Sequence, residues 1–432
     1  MLYQSTRNPA HKVDLKEAIL RSLPPDNGLY MPVSLPTPDP AFWSCWRDLS
    51  FQEIGHAVAS AYFGEDVPAA DLQEIVDGTL SFDAPLVTLA PGDHVLELFH
   101  GPTLAFKDFG ARFMARLMAW LTRGDDRLLT VLVATSGDTG GAVASAFHQV
   151  PGTRVFILYP KGKVSGLQEK QLTTLGGNIH ALEVDGTFDD CQRLVKSAFL
   201  DRALAERLNL TSANSINLAR LVPQSFYYIH SARQLPEGIE PVFVVPSGNF
   251  GNLTAGLLAR QFGLPVRGFV AATNCNDVVP AYLRSGSYQP RPSTATISNA
   301  MDVGAPSNFD RMQALFGGSW ESMKAVIHGD AFDDDTTRAA IRTVKSLHDY
   351  EIDPHAAVGW LAAGRFRAKH PGSATITLAT AHPAKFIDVM EHELGPGAVE
   401  IPERLAILAD RPKVATPLTA DETAFKAWLA EQ

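Results

Sequence analysis

The sequence predicts an α/β protein of two open, mostly parallel-sheet lobes with an N-terminal cap region. Three observations predict it. Buried-type apolar runs alternate with helical segments along much of the chain, the grammar of right-handed βαβ units and a parallel sheet. That grammar runs once between about residues 128 and 200 and restarts near residue 241. The chain has 432 residues, too many for one ordinary core, so two or three domains are expected.

Residues 1–95 are read as the cap. They are mixed in character and punctuated by proline and glycine, as in "LPPDNGLYMPVSLPTPDP". Residues 96–225 form the first lobe. From Phe106 onward, Phe109, Phe113, Met114, Leu117, Met118 and Leu121 recur at three- and four-residue spacing and predict an amphipathic helix. Strands follow at "LLTVLVA" (128–134), "TRVFILY" (153–159) and "NIHALEVDG" (178–186). The helical stretches "AVASAFHQV", "VSGLQEKQLTTLG" and "FDDCQRLVKSAFL" separate or follow them. Residues 226–432 form the second lobe. It opens with "PVFVVPSGNFGNLTAGLLARQFG" (241–263), continues through "VRGFVAATN" (266–274) and ends its pattern at "ATITLATAHPAKFIDVM" (374–390). The stretch 275–372 yields no clear element series.

Hydrophobic content of 45% and charged content of 19% describe a folded globular protein. The opening "MLYQSTRNPAHKV" has no apolar run of the secretory kind, and no stretch approaches the ~20 apolar residues of a membrane span. Cys45, Cys191 and Cys275 are odd in number and widely spaced, which suits a reducing cytoplasm and forms no metal pattern. A formal net charge of −10 argues against nucleic acid as a partner, so any anionic ligand must be held by local devices. Oligomeric state is not legible.

Lys107 poses the first chemical question. It sits in the first turn of its helix, where the dipole repels a cation. An ordinary wet lysine is one reading. The other is an amine whose proton affinity is deliberately lowered, because burial and a helix N-terminus both disfavour the ammonium and free a nucleophile for a Schiff base.

Ligands of open parallel sheets sit beyond the C-terminal ends of the strands, and three loops there have unusual chemistry. In "SGNFGN", Ser247, Gly248, Asn249, Phe250, Gly251 and Asn252 join a valine-rich strand to a helix. Glycine lets the backbone approach a ligand, and the helix start offers free N–H groups to a phosphate. The loop is neither G-x-G-x-x-G nor a P-loop, which points to a monophosphate group. In "TSGDTGG", Ser136, Gly137 and Thr139 offer hydroxyls and amides to a carboxylate. Asp138 adds an acceptor for a phenolic oxygen or an ammonium. In "ATAHPAKF", Thr380 ends a strand, where its hydroxyl either donates to a neutral ring nitrogen or caps the helix led by Pro383. An aldehyde for Lys107, a phosphate for 247–252 and a ring nitrogen for Thr380 together describe pyridoxal 5′-phosphate.

The segments "LFHGPTLAFKDFG", "ATSGDTGGA", "NSINLARLVPQ" (214–224), "PSGNFGN" and "TAHPAKF" resemble, in order and across nearly the whole chain, the motif series of the threonine synthase family. The approach "PDNGLYMP" is similar to that family's N-terminal region. The resemblance implies a fold-type II pyridoxal-phosphate enzyme, with Lys107 as the Schiff-base lysine, the 247–252 loop around the cofactor phosphate and Thr380 toward the pyridine nitrogen. It implies conversion of O-phospho-L-homoserine and water to L-threonine and phosphate, with the 136–140 loop on the substrate carboxylate. Asparagine often occupies the place of Asp138 in the wider superfamily, which leaves its contact with the ring hydroxyl open. The substrate phosphate needs its own pocket, for which Lys163, Asn214 and Arg220 are the candidates. The alternatives are a serine/threonine dehydratase, a cysteine-synthase-like enzyme or a non-catalytic relative.

Overall fold

Strand positions follow the apolar runs. The computed structural model describes all 432 residues. Along the chain the strands are β1 (Tyr3–Ser5), β2 (Lys12–Val13), β3 (Tyr30–Pro32), β4 (Leu86–Ala90), β5 (Asp93–Glu97), β6 (Leu129–Ala134) and β7 (Thr153–Pro160). They continue as β8 (Ile179–Asp185), β9 (Leu210–Ser212), β10 (Val242–Pro246), β11 (Gly268–Thr273), β12 (Ile327–Ala331), β13 (Thr375–Ala379) and β14 (Thr416–Thr419). A five-stranded sheet has the order β14-β8-β7-β6-β9 and a six-stranded sheet the order β12-β11-β10-β13-β5-β4. The first is parallel throughout, and in the second only the β4–β5 hairpin is antiparallel. A small antiparallel sheet, β2-β1-β3, lies in the N-terminal region.

The central strands β6, β10 and β11 are buried at every residue, because helices cover both faces. That is why they read as continuous apolar runs rather than alternating ones. One buried cluster then unites the layers, running from Tyr3 and Ile54 through Phe109 and Phe113 to Val131 and Phe243. No helix is long and apolar enough to cross a membrane.

Strand pairing crosses both boundaries drawn from the sequence. β4 and β5, at the edge of the segment 1–95, complete the sheet of the second lobe, and β14, from within 226–432, completes that of the first. The stretch 275–372 supplies β12 and two well-formed helices, Asp334–His348 and Pro354–Lys369, capped by Asp333 and Asp353.

Two strand ends bring the candidate loops together. The residues after β13 run antiparallel to those before the Lys107 helix. Phe106 N–H donates to Thr380 O at 2.9 Å, His382 N–H donates to Leu104 O at 3.0 Å, and Ala105 bridges Ala381. Leu104 holds a left-handed φ of 60° within this ribbon, a conformation a buried leucine keeps only when its surroundings enforce it. The strained approach delivers Lys107 beside Thr380.

Candidate active site

The Lys107–Leu121 helix starts without a side-chain cap, and its first turn is anchored instead by Asp108. The Asp108 carboxylate accepts from Thr103 N–H at 2.9 Å and from the Thr103 hydroxyl at 2.7 Å. This fixes the turn that aims Lys107 into a cleft between the two sheets. The cleft is lined by Lys107, Ser136, Asp138, Thr139, Asn214, Arg220, the 247–252 loop, the segment 299–303, His355 and Thr380.

Lys107 is 15% exposed and its Nζ lies 3.7 Å from Asp138 Oδ2. Burial lowers its pKa to about 8 against the pull of Asp138, and the Lys385 and Arg220 charges add to the lowering. The reading of Lys107 as a wet surface lysine therefore fails. Burial alone would raise the Asp138 carboxyl. The Lys385 charge, then that of Lys107, outweighs burial and holds it well below the usual carboxylate range.

At the end of β6, the Thr135 hydroxyl accepts from Gly137 N–H at 2.9 Å and Gly140 N–H at 2.8 Å. It thereby secures the start of the Asp138–Phe147 helix and leaves the Ser136 and Thr139 side chains at the cleft. Gly137 stands behind this rim against Gln168.

At the end of β10, the Gly251–Gln261 helix begins with no side-chain cap. Its first N–H groups are open to an anion. The residue with a left-handed φ is Phe250, at 59°, and not a glycine. Gly248 matters for another reason. A Cβ there would stand 2.7 Å from Ala300 O and 2.9 Å from Met301 Cα, both backbone atoms that cannot step aside. Asn249 holds the facing segment, accepting from Ser307 N–H at 3.3 Å, while Ser247 donates back to Val245 O at 2.8 Å. Asn252 Oδ1 takes the hydroxyls of Tyr227 and Tyr228 at 2.7 and 2.8 Å, which leaves its buried Nδ2 without a partner.

A second orphaned donor belongs to Arg220. The Leu218–Leu221 helix packs closely on the Lys107 helix because a Cβ at Gly110 would lie 2.6 Å from Arg220 O. Arg220 is 2% exposed, its Nη1 donates to Ala213 O at 2.5 Å, and its Nε has no partner. Burial lowers the guanidinium to about 10, so it remains a cation at neutral pH. Asn214 also lines the cleft, with Nδ2 donating to Ala134 O at 2.9 Å.

Of the sequence candidates, two do not line the cleft: Gly137, which stands behind its rim, and Lys163, which is exposed on the turn after β7. Thr380 lines the cleft, whereas the cap of the following turn is His382, which accepts from Ala384 N–H at 3.1 Å. Sequence reasoning missed Lys385, Asp302 and His355. Lys385 was detectable by the question asked of Lys107: why an amine sits between Ala384 and Phe386 in "HPAKF". His355 and Asp302 carry no local signature and reach the wall only through the packing of the 275–372 stretch. His355 donates from Nδ1 to Asp353 at 2.7 Å and accepts from Ala300 N–H at 3.2 Å, which fixes its tautomer.

These residues fit pyridoxal phosphate. An amine of lowered pKa, an uncapped helix start with an orphaned amide beside it and a strand-end hydroxyl converge in one cleft. Gly248→Ala is expected to push the 247–252 loop off the 300–301 backbone. Cofactor affinity in equilibrium dialysis should fall at least about tenfold, with an unchanged circular dichroism spectrum. Wild-type affinity would remove the loop from the phosphate site.

A family model described as "Pyridoxal-phosphate dependent enzyme" matches residues 94–380. Models for the threonine synthase N terminus and C-terminal region match residues 2–80 and 356–429. The threonine synthase of Escherichia coli (strain K12) is 44% identical over 96% of each chain. The crystal structure of an Escherichia coli threonine synthase superposes with a TM-score of 0.93, at 43% identity and full coverage of both chains. That of a pyridoxal-phosphate-bound threonine synthase from Brucella melitensis superposes with a TM-score of 0.91, at 36% identity, covering 100% of this chain and 99% of that one.

Proposed function

The chain belongs to the threonine synthase family of pyridoxal-phosphate-dependent enzymes, and from that premise we propose that it converts O-phospho-L-homoserine and water to L-threonine and phosphate. The observation that carries this reading is a second anion receptor, the buried and unpaired Arg220, in the same cleft as Lys107 and the phosphate-sized loop. A dehydratase acting on serine or threonine has no second phosphate to hold.

Pyridoxal phosphate supplies an aldehyde for a reversible bond to an amine and a conjugated ring that takes up the electrons released at Cα. Lys107 Nζ would hold the aldehyde, the N–H groups of 247–252 would hold the phosphate, and the Thr380 hydroxyl would donate to the ring nitrogen. Ser136 and Thr139 take the substrate carboxylate, and Arg220, with Asn214 at its side, takes the substrate phosphate. When not bonded to the cofactor, the Lys107 amine would serve as the base for the Cα proton. Its lowered pKa leaves a useful fraction unprotonated near neutral pH. Overall the C–O bond at Cγ breaks to release phosphate, Cγ gains a proton, and Cβ exchanges one proton for the hydroxyl of water, which gives threonine.

The test is a phosphate-release assay on the cofactor-loaded protein with phosphohomoserine, serine and O-acetylserine. Phosphate and threonine should appear in equal amounts from the first. Faster ammonia release from serine would favour the dehydratase. Homoserine should turn over at least about a thousandfold more slowly, because it has a poor leaving group and leaves Arg220 unpaired. Comparable threonine formation from homoserine would remove the phosphate from the mechanism.

A further inference from the structure

Lys385 is fully buried, yet it lies outside the lining of the cleft. Its Nζ donates to Asp138 Oδ1 at 2.6 Å and to Thr103 O at 2.9 Å, and its own carbonyl accepts the Ser165 hydroxyl at 3.0 Å. Gln168 Nε2 adds a 2.8 Å bond to the same Asp138 oxygen. One Asp138 oxygen is thus fully occupied from behind, and the other faces Lys107 at 3.7 Å, too far for a tight ion pair. Thr103 lies in the turn that anchors the Lys107 helix. Lys385 therefore grips two of the elements that set where Lys107 and its neighbour stand.

We propose that Lys385 is a positioning residue for the lysine chemistry: it holds the Asp138 carboxylate back from Lys107 and offsets its charge, so that the carboxylate does not lock Lys107 in an ion pair. The inference rests on the reading of Lys107 as the cofactor lysine. A lone carboxylate beside a buried amine would close on it and lock it as an ammonium, useless as nucleophile or base. With Lys385 in place, the carboxylate already has a cation. The remaining groups facing Lys107 do not replace it. Arg220 is a cation on the neighbouring helix, while Asp302 and His355, on the opposite wall, are engaged by Thr296 and Asp353.

The experiment is amine labelling of the full-length, cofactor-free protein between pH 6 and 11, with modification at Lys107 followed by peptide mass spectrometry. Wild-type Lys107 should be half-labelled near pH 8. Lys385→Met should move that midpoint up by about one pH unit, since a charge at this range acts on that scale. Asp138→Asn should move it down. The double variant should fall between the two single variants. Lys385→Arg should restore most of the wild-type midpoint. If Lys385→Met does not fold, Lys385→Gln, which keeps a hydrogen-bond donor but no charge, reads the loss of the charge with the Asp138 carboxylate still in place. Folded variants lacking Lys385 whose Lys107 midpoint stays where it was would overturn the proposal, whatever their thermal stability. Attachment of the cofactor to another lysine, read separately by borohydride reduction of the loaded wild-type enzyme, would instead overturn the reading of Lys107 on which it rests.

Discussion

The Lys107→Ala protein will fold, bind pyridoxal phosphate weakly and turn over phosphohomoserine roughly 10⁴-fold or more slowly than wild type. The variant loses both the covalent hold on the cofactor and the base that reaches the Cα proton, and either loss alone is worth orders of magnitude. The fold should not suffer. Lys107 occupies the first turn of a helix whose start is anchored by Asp108 and Thr103 and whose apolar face carries the packing. The 247–252 loop is untouched, so residual cofactor binding should persist without the visible absorbance of a lysine-bound cofactor. Steady-state phosphate release and an absorbance spectrum measure both outcomes. Turnover within a factor of ten of wild type would remove Lys107 from the chemistry.

Arg220→Met should move function and stability in opposite directions. The guanidinium is buried with one hydrogen bond and an orphaned Nε, an arrangement that costs stability until an anion arrives. Methionine fills most of the same volume without the charge, so the thermal midpoint should hold or rise. The interaction lost with a charged substrate group is worth about 2 kcal/mol, which corresponds to a roughly thirtyfold fall in kcat/KM for phosphohomoserine. Stability and function trade against each other at a site kept for its ligand. An unchanged kcat/KM would show that the substrate phosphate binds elsewhere.

The parts of the molecule legible in the sequence are those where local pattern and tertiary environment agree. β6, β7, β8, β10, β11 and β13 are central or near-central strands; β6, β7, β10 and β11 carry nearly continuous apolar runs, and β8 and β13 keep an apolar residue at every other position or better. β4 and β14 are edge strands with no fully buried residue. β14 is "TPLT", with a proline in its interior as edge strands allow, and its place in the first sheet comes from a contact with β8 that no local signal encodes. Strand pairing crosses the boundaries drawn from the sequence for that reason. The site was legible where a loop leaves a strand, as at Asp138, Ser247 and Thr380. It was illegible where a residue acts from behind, as Lys385 does through Asp138, or arrives from a distant helix, as His355 does. Lys163 shows the converse: proximity to a strand end is not enough when the side chain turns to solvent.

The most direct measurement is borohydride reduction of the purified, cofactor-loaded enzyme, followed by digestion and mass spectrometry of the modified peptide. A single modified residue, Lys107, with reduction blocked by prior incubation with saturating phosphohomoserine, is the predicted result. Reduced cofactor on Lys385 or any other lysine, or labelling indifferent to the substrate, would contradict it.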